Sequence, residues 1–367
     1  MTQRTRRAGA LALAPALAAT ALLTACGTDD NGTIAPSADI SCAPKQAPLL
    51  AAGSTAQGPA MDLWRTVYGA TCTGTLVTYA GGGSGTGVQQ FNQGKVAFAG
   101  SDFALKPSDV AGSKAACPGG RAIDLPMVAG LVSIVYNLDG VDDLVLDGPT
   151  LARIFDSQIT AWNDPAIKAL NPGADLPAAG ITSFHRSDDS GTTFNLSSYF
   201  AASGGGAWPS APNKSWQGKG GQSANGSAGV SAQIRSVKNS IGYVELSYAQ
   251  QNNLKSTAIA TGGPRPVPAT ATNAATTLES STVVGTGEDL ALHLDYGTTA
   301  PNAYPVVLVT YEIVCDKGNR AATLPALRAF LTYTASDTAQ QAIADKGYVP
   351  LPAALAGKVK TVIGELG

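Results

Sequence analysis

The stretch Leu125-Pro126-Met127-Val128-Ala129-Gly130-Leu131-Val132-Ser133-Ile134-Val135-Tyr136 decides the fold, because this continuous apolar run is long enough to cross between two lobes. Its expected return is Val306-Val307-Leu308-Val309-Thr310-Tyr311-Glu312-Ile313-Val314. The chain has 367 residues, more than one core usually accommodates, and strand and helix patterns alternate along it. The sequence therefore predicts an α/β protein of two lobes joined by two crossover strands, with the ligand in the cleft between them. Residues 46–126 and 306–367 would form the first lobe, and residues 127–305 the second.

Three turns of one kind follow strand-like apolar runs and precede helical patterns. They are residues 53–59 with Thr55 at the helix mouth, residues 81–87 with Ser84 in the equivalent place, and residues 185–194. Each turn contains hydroxyls and glycine, and the start of a helix presents unsatisfied N–H groups and a positive dipole end. If the strands are parallel and adjacent, the three turns can point at one anion.

The third turn, His185-Arg186-Ser187-Asp188-Asp189-Ser190-Gly191-Thr192-Thr193-Phe194, adds a fixed cation. Arg186 offers a planar fork of donors, Ser190 and Thr192 offer hydroxyls, and backbone N–H groups lie near Gly191. An ordinary helix cap beside a surface salt bridge would use the same residue types. The recurrence of the turn favours the anion site.

A fourth element, Val96-Ala97-Phe98-Ala99-Gly100-Ser101-Asp102-Phe103, is a strand that ends in a carboxylate. Asp102 repels a fully deprotonated anion but accepts a hydrogen bond from one that still carries a proton. Phosphate at neutral pH carries such a proton, and sulfate does not. The alternative is that Asp102 caps the helix after Pro107 or lies in a solvated turn.

These residues resemble the phosphate-binding proteins of bacterial ABC phosphate transporters, the PstS type, over nearly the whole mature chain. The ordered motifs that carry the resemblance are Gly53-Ser54-Thr55, Gly83-Ser84-Gly85, Gly100-Ser101-Asp102 and Arg186-Ser187-Asp188-Asp189-Ser190-Gly191-Thr192. Further similar stretches are Ile159-Thr160-Ala161-Trp162-Asn163-Asp164-Pro165 and Ile241-Gly242-Tyr243-Val244-Glu245. The resemblance implies a periplasmic-binding-protein-like fold, inorganic phosphate as ligand and delivery to the permease subunits of an ABC transporter. No cofactor and no metal are expected.

The resemblance also implies a role for each residue of the site. Phosphate would be bound by Thr55, Ala56, Ser84, Asp102, Arg186, Ser190, Gly191 and Thr192. Among these, Ala56 would use its N–H, Asp102 would accept the phosphate proton, and Arg186 would make the one charge pair. Asp188 would orient the arginine and partly neutralise it. Two positions depart from the family pattern: Ala56 replaces an aromatic seen in some relatives, and Asp189 stands where glycine is common, so we expect its side chain to point to solvent.

The N-terminus has the parts of a secretory signal that ends in a lipid-modified cysteine. A basic start with Arg4, Arg6 and Arg7 precedes an apolar stretch and the lipobox Leu23-Thr24-Ala25-Cys26. We expect residues 1–25 to be removed, Cys26 to carry the lipid, and residues 26–45 to be a flexible tether. The alternative, a short membrane anchor with unmodified Cys26, is disfavoured because the span is shorter than the ~20 residues a bilayer needs. The protein is thus expected on the outer face of the cell membrane, as a monomer.

Four further cysteines form an even set in an oxidising compartment, and four cysteines allow three pairings. We favour Cys42 with Cys72, because they precede the first two parallel strands and lie at one edge of the sheet. Cys117 then pairs with Cys315, which ends the return strand. No spacing typical of a zinc site occurs. The net charge of -2 and the lack of a basic cluster in the mature part make nucleic acid a poor candidate partner.

An enzyme is the main alternative class, and the motifs argue against it. Neither Ser84 nor Ser190 lies in the Gly-x-Ser-x-Gly pattern of a nucleophile elbow, and only His185 and His293 could act as a base. The glycine run at 81–87 also lacks the Walker and Rossmann patterns. A binding protein for another oxyanion, or a phosphate sensor, stays open. The Gly- and Ser-rich residues 203–206 and 218–229 are interpreted as surface loops.

Overall fold

The computed structural model describes residues 40–367, so the predicted signal peptide, Cys26 and residues 27–39 of the tether lie outside the described part. Its strands are β1 (Leu49–Gly53), β2 (Val77–Ala80), β3 (Phe98–Ser101), β4 (Ala122–Asn137), β5 (Val145–Asp147), β6 (Thr182–Arg186), β7 (Gln222–Ala224), β8 (Ser240–Glu245), β9 (Lys255–Ser256), β10 (Ala258–Ala260), β11 (Thr282–Val283), β12 (Leu292–His293) and β13 (Val307–Cys315). Its helices are α1 (Gly58–Thr71), α2 (Ser84–Asn92), α3 (Pro107–Gly112), α4 (Gly148–Phe155), α5 (Pro165–Leu170), α6 (Gly191–Ser203), α7 (Gly226–Ser236), α8 (Leu246–Gln251), α9 (Ala271–Glu279), α10 (Leu324–Thr334), α11 (Asp337–Ala344) and α12 (Ala353–Glu365). A short 3-10 helix spans Ser113–Ala115.

One sheet runs through the molecule in the strand order β2-β1-β3-β13-β4-β8-β6-β7, and β9 pairs with β4. The strands at each end are parallel to one another, whereas β13 and β4 in the middle are antiparallel to their neighbours. The 16-residue β4 pairs with β13 along Ala122 to Leu131, and with β8 from Val132 to Asn137. The long apolar run therefore forms one strand that serves both halves of the sheet, and β13 returns beside it, as predicted.

The buried apolar side chains form two clusters rather than one. The first contains Trp64 and Tyr68 of α1 together with Phe330 and Leu331 of α10 and Ile363 of α12. The second contains the aromatic side chains around α4 and α6, namely Phe155, Trp162, Phe184, Tyr199, Phe200 and Tyr243. Helices α10 and α12 thus pack on the N-terminal part of the sheet. The lobe boundaries at 126 and 306 stay a prediction.

Helix α1 shows how the local sequence produces an element. Pro59 stands in its first turn, where the missing N–H is not needed. Ala60, Met61, Trp64 and Tyr68 recur at helical spacing and are buried, and the Trp64 indole N–H donates to the Ala339 carbonyl of α11 at 2.9 Å. No helix in residues 40–367 is both long and apolar enough to cross a membrane.

Both expected disulfides are present. Cys42 joins Cys72 with a Cα–Cα distance of 5.4 Å, and Cys117 joins Cys315 at 5.3 Å. The first ties the segment before β1 to the end of α1. The second ties the loop before β4 to the end of β13.

One local expectation needs correction: residues 218–229 are not simply a surface loop, because they contain β7 and the first turn of α7. Helix α2 begins at Ser84, so Ser84 belongs to the helix mouth itself. The alternative that Asp102 caps the helix after Pro107 is wrong, since the N-cap of α3 is Lys106.

Candidate functional site

The site lies where strand-to-helix turns from the two ends of the curled sheet face one another. The turns after β1 and β2 come from adjacent parallel strands, as expected. The turn after β6 does not, because β3, β13, β4 and β8 separate β6 from β1. The turns therefore meet through the curvature of the whole sheet, and not by adjacency in one parallel sheet as the sequence suggested.

Arg186, the last residue of β6, supplies a buried cation with only 2% of its surface exposed. Its Nε donates to Asp188 Oδ1 at 2.7 Å, and its Nη2 pairs with Asp188 Oδ2. Its Nη1 faces the hydroxyls of Thr192 at 3.3 Å and Ser227 at 3.4 Å. The main-chain N–H of Gly226 also donates to Asp188, at 3.1 Å. Asp188 thus fixes the plane of the guanidinium and leaves one edge towards the hydroxyls, as its predicted role requires.

Asp102 lies at the opposite side of the same site and is also buried. Its Oδ1 accepts from the hydroxyl of Thr310 on β13 at 2.7 Å, and its Oδ2 from Ser84 at 3.4 Å. Burial raises the pKa of the Asp102 carboxyl, although hydrogen bonds from neighbouring hydroxyls and the charge of Arg186 oppose the shift. A carboxylate that accepts from two hydroxyls can still accept a further hydrogen bond.

Ser84 and Gly191 bring the mouths of α2 and α6 together. Ser84 Oγ accepts from the N–H of Gly191 at 3.2 Å and from the N–H of Asp102 at 3.1 Å. A side chain at position 191 would overlap Asp102 and Ser84, so the site requires glycine there. Gly83, with φ of 91°, makes a similarly close approach to Asp188. Two glycines of the predicted motifs therefore allow contact between the two halves.

Ser227 is a site residue that the sequence analysis missed. It stands in the first turn of α7, and its hydroxyl lies 3.1 Å from Thr55 Oγ1 while its N–H donates to the same atom at 3.1 Å. Since Ser227 also faces Arg186, it connects the first turn to the cation. The Gly226-Ser227 pair after a short strand repeats the Gly-Ser pattern of the other turns, which is the signal that could have identified it. Thr310 was likewise missed, and its signal is a polar residue inside an apolar strand.

The remaining predicted residues lie beside this group and use some of their donors within the protein. Ser190 caps α6, where its Oγ accepts from the N–H of Thr193 at 3.2 Å, and its own hydroxyl proton remains for another acceptor. The N–H of Ala56 donates to Ser54 Oγ at 3.0 Å. The structure brings all eight predicted binding residues and Asp188 together, and their individual roles stay predictions.

Asp189 only partly follows expectation. Its side chain is 43% exposed, yet it pairs with Lys214 at 3.2 Å and accepts from Ser215. Its main-chain carbonyl accepts from the N–H of Gly85 in α2 at 3.0 Å. The negative charge of Asp189 is thus paired with Lys214, which is not one of the predicted binding residues.

Two glutamates are buried in the central part of the sheet, Glu245 at the end of β8 and Glu312 within β13. Burial, together with the negative charge of Asp102, raises the pKa of Glu245 and of Glu312 to about 8 each. Both therefore hold a proton at neutral pH and add no full negative charge beside the site.

This arrangement defines a class of protein: one buried arginine paired with Asp188, several hydroxyls and helix N-termini converge on one further carboxylate, that of Asp102. Such a set binds a compact oxyanion that carries a proton. It holds no activated nucleophile beside a base, since His185 stacks on Trp216 at 4.8 Å and its Nδ1 lies 3.0 Å from the Arg186 carbonyl.

Comparison with known proteins gives the family. The model of the PBP superfamily domain matches residues 36–338. The phosphate-binding protein PstS 3 of Mycobacterium tuberculosis (strain ATCC 25618 / H37Rv) is 41% identical over 360 residues, which cover 95% of this chain and 96% of the relative. The phosphate-binding protein PstS of Xylella fastidiosa is 33% identical over 341 residues, 90% of this chain and 88% of the relative.

Solved structures agree on the fold. A high-affinity periplasmic phosphate-binding protein (PfluDING) bound with phosphate has a TM-score of 0.71 at 20% identity, covering 86% of this chain and 93% of its own. A phosphate-binding protein from Stenotrophomonas maltophilia has a TM-score of 0.70 at 18% identity, covering 86% and 94%. The chain belongs to the PBP superfamily and, within it, to the PstS-type phosphate-binding proteins, two-lobe α/β proteins that bind transport substrates and are not enzymes.

Proposed function

We propose that this protein binds inorganic phosphate outside the cell membrane and delivers it to the permease subunits of an ABC transporter. The proposal is supported by relatives named as phosphate-binding proteins at about 40% identity over almost the whole chain. It gives each of the eight binding residues a direct contact with the anion and gives Asp188 a role in holding Arg186.

The observation that carries the proposal is the position of Asp102. Its buried carboxylate stands among donors and accepts hydrogen bonds from Ser84 and Thr310, whereas the carboxylate of Asp188 is taken up by Arg186. Phosphate gives its proton to this carboxylate and accepts from every other group, so each group is paired. Sulfate brings a lone pair against Asp102 in a dehydrated site, which costs several kcal/mol. Since H₂PO₄⁻ and HPO₄²⁻ both keep a proton, binding persists between about pH 6 and pH 8.

The test is a calorimetric titration of phosphate and sulfate into the wild type, Asp102→Asn and Asp143→Asn. The wild type binds phosphate and discriminates against sulfate. Asp102→Asn retains part of the phosphate binding and has a smaller preference, because its amide NH₂ donates to sulfate. Asp143, exposed between β4 and β5, is the control and leaves the preference unchanged. A wild type that binds sulfate as tightly as phosphate contradicts the proposal.

We also propose that Cys26 carries a lipid anchor that keeps a monomeric protein at the membrane. The lipobox that ends at Cys26 and the relation to binding proteins of transporters support this. Fractionation of cells that express wild type or Cys26→Ser tests it: the wild type is found with the membrane, and the variant is not. Equal membrane fractions would exclude the anchor.

A further inference from the structure

Three tyrosine hydroxyls bond three consecutive main-chain carbonyls of the turn between β1 and α1. Tyr79 donates to the Ser54 carbonyl at 2.8 Å, Tyr248 to the Thr55 carbonyl at 2.8 Å, and Tyr348 to the Ala56 carbonyl at 2.7 Å. The tyrosines come from β2, from α8 and from the segment between α11 and α12. Three distant parts of the chain therefore converge on the backbone of one turn.

The turn is held by its own main-chain bonds, but the side chain at the helix cap adds none. Gln57 is the N-cap of α1 and makes no side-chain capping bond, whereas the turn before α6 is capped by Ser190. In a trans peptide the carbonyl and the following N–H point in opposite directions. A peptide that rotated in residues 54–57 would aim a carbonyl oxygen, and not an N–H, at a bound anion.

The direction of all three bonds is fixed, and two of the tyrosine hydroxyls also accept a hydrogen bond. Tyr79 accepts from the Gln57 amide NH₂ at 2.9 Å, and Tyr348 accepts from the Ser247 hydroxyl at 3.0 Å. A carbonyl can only accept, so each tyrosine must donate its own proton to the turn. Burial raises the pKa of Tyr248 to about 12 and the pKa of Tyr79 and Tyr348 well above the usual 10, so all three keep their protons at physiological pH.

Tyr248 differs from the other two tyrosines in the part of the chain to which it belongs. It belongs to residues 127–305, the predicted second lobe, whereas Tyr79, Tyr348 and the turn belong to the predicted first lobe. Its bond to Thr55 lies beside the Thr55 contact with Ser227, which joins the same two parts of the chain.

We propose that Tyr79, Tyr248 and Tyr348 are positioning residues that hold the turn at residues 53–57 in its phosphate-binding orientation, and that Tyr248 completes the support only when the two lobes close. This inference rests on the proposed function and adds residues that act on the anion through the turn. Tyr79 and Tyr348 preorganise the site before the ligand arrives. Tyr248 stabilises the closed, bound state.

The test measures phosphate binding by Tyr79→Phe, Tyr248→Phe and Tyr348→Phe. Tyr248→Phe removes one neutral hydrogen bond, whereas Tyr79→Phe and Tyr348→Phe remove two each, one of which is the bond to the turn. Each change weakens phosphate binding about 3- to 10-fold. Stopped-flow kinetics show the loss for Tyr248→Phe mainly as faster dissociation, because its bond forms on closure. Tyr79 is partly exposed, so its variant folds even if replacement of the buried Tyr348 impairs folding.

Tyr136→Phe is the matched control. The Tyr136 hydroxyl also donates to a main-chain carbonyl, that of Asp142 at 2.8 Å, but it does so between β4 and β5, away from the turn. Its variant loses the same kind of bond, so its melting temperature falls while its phosphate affinity stays that of the wild type.

A double-mutant cycle separates positioning from a general loss of stability. When Tyr348→Phe is combined with Thr55→Val, the fold-losses of phosphate affinity of the two single variants do not multiply, because both changes act on the same turn. Tyr348→Phe combined with Thr192→Val gives losses that multiply within about twofold, since Thr192 lies beside Arg186. A merely structural role of Tyr348 would give the same result in both cycles.

The outcomes separate this inference from the proposed function. If the wild type shows no phosphate binding, the proposed function is wrong and the inference falls with it. If the wild type binds phosphate but the three folded tyrosine variants bind it as tightly as the wild type, only the inference is wrong. The same holds if Tyr136→Phe loses as much affinity as those three variants.

Discussion

At the scale of single residues, the site combines Arg186, which uses two of its donors within the protein, with Asp102, whose carboxylate can accept a further hydrogen bond. Asp188 takes two donors of Arg186, and the remaining Nη1 faces the hydroxyls of Thr192 and Ser227. Binding strength thus depends on the geometry of the guanidinium as well as on its charge.

Replacement of Arg186 by lysine tests this geometry. Arg186→Lys keeps the charge but loses the fork that pairs with Asp188, and charge-assisted bonds contribute about 1.5–3 kcal/mol each against about 1 kcal/mol for a neutral bond. We expect Arg186→Lys to weaken phosphate binding by at least about tenfold more than Ser190→Ala, measured by calorimetry. Ser190→Ala also lowers stability by about 1 kcal/mol through the lost α6 cap. Equal losses of affinity would place Arg186 outside the site.

Gly191 is the second residue-scale determinant, because a methyl group there overlaps Asp102 and Ser84. We expect Gly191→Ala to weaken phosphate binding by about 10- to 100-fold, since the neighbouring groups must shift. Gly69→Ala is the control: Gly69 lies within α1 with open space around it, and alanine favours a helix. Titration calorimetry and thermal melts of both variants check this, and wild-type affinity of Gly191→Ala would show that the contact is not needed.

At the scale of elements, the crossing strand β13 joins the core to the site. It is buried along its whole length, yet it contains Thr310, which holds Asp102, and Glu312, which is buried without charge at neutral pH. These polar residues interrupt an otherwise apolar strand where the two halves of the sheet meet.

Glu312 predicts a pH dependence of stability. Its folded pKa of about 8 lies above the ordinary 4.5, so between these values the folded protein holds a proton that the unfolded chain has lost. The stability contribution is full below about pH 4.5 and is lost as pH rises towards 8, by about 1.4 kcal/mol per pH unit. We expect Glu312→Gln to reduce this slope by that amount in urea unfolding between pH 5 and pH 8.

The matched control for Glu312 is the exposed Glu279 at the end of α9. Glu279→Gln should leave the pH dependence as in the wild type. A Glu312→Gln variant whose unfolding free energy follows the wild-type curve would show that Glu312 titrates normally.

At the scale of the whole molecule, the two disulfides close loops of very different length. Cys42 and Cys72 are 30 residues apart, whereas Cys117 and Cys315 are 198 apart and enclose most of the chain. The second bond fixes the ends of β4 and β13 to each other, and these are the strands that connect the two halves.

Loop-closure entropy predicts different losses for the two bonds. Replacing Cys117 and Cys315 by serine should lower the free energy of unfolding by about 5 kcal/mol, and replacing Cys42 and Cys72 by about 4 kcal/mol. Denaturant unfolding of the two double variants at saturating and at zero phosphate measures both values. A larger loss for the Cys42–Cys72 pair would contradict the chain-entropy account.

The sequence by itself determined the order of the glycine-hydroxyl turns and the two long crossover strands, and it predicted the chemistry of the anion site. These features are local: a glycine-hydroxyl turn between strand and helix patterns, or a long apolar run, specifies its own geometry within about ten residues. Arg186 and Asp102 were predicted as site residues in this way, because each lies in a short motif that contains its own strand end and turn.

Only the tertiary structure decided which distant residues complete the site. Ser227, Thr310 and the three tyrosines reach it because the sheet curves until its two parallel ends face one another, which no local pattern specifies. The start of α6 similarly lies against Ser84 through contacts between residues more than 100 positions apart. Packing of two halves around a shared pair of strands determines such contacts, so they depend on the whole fold rather than on any segment of it.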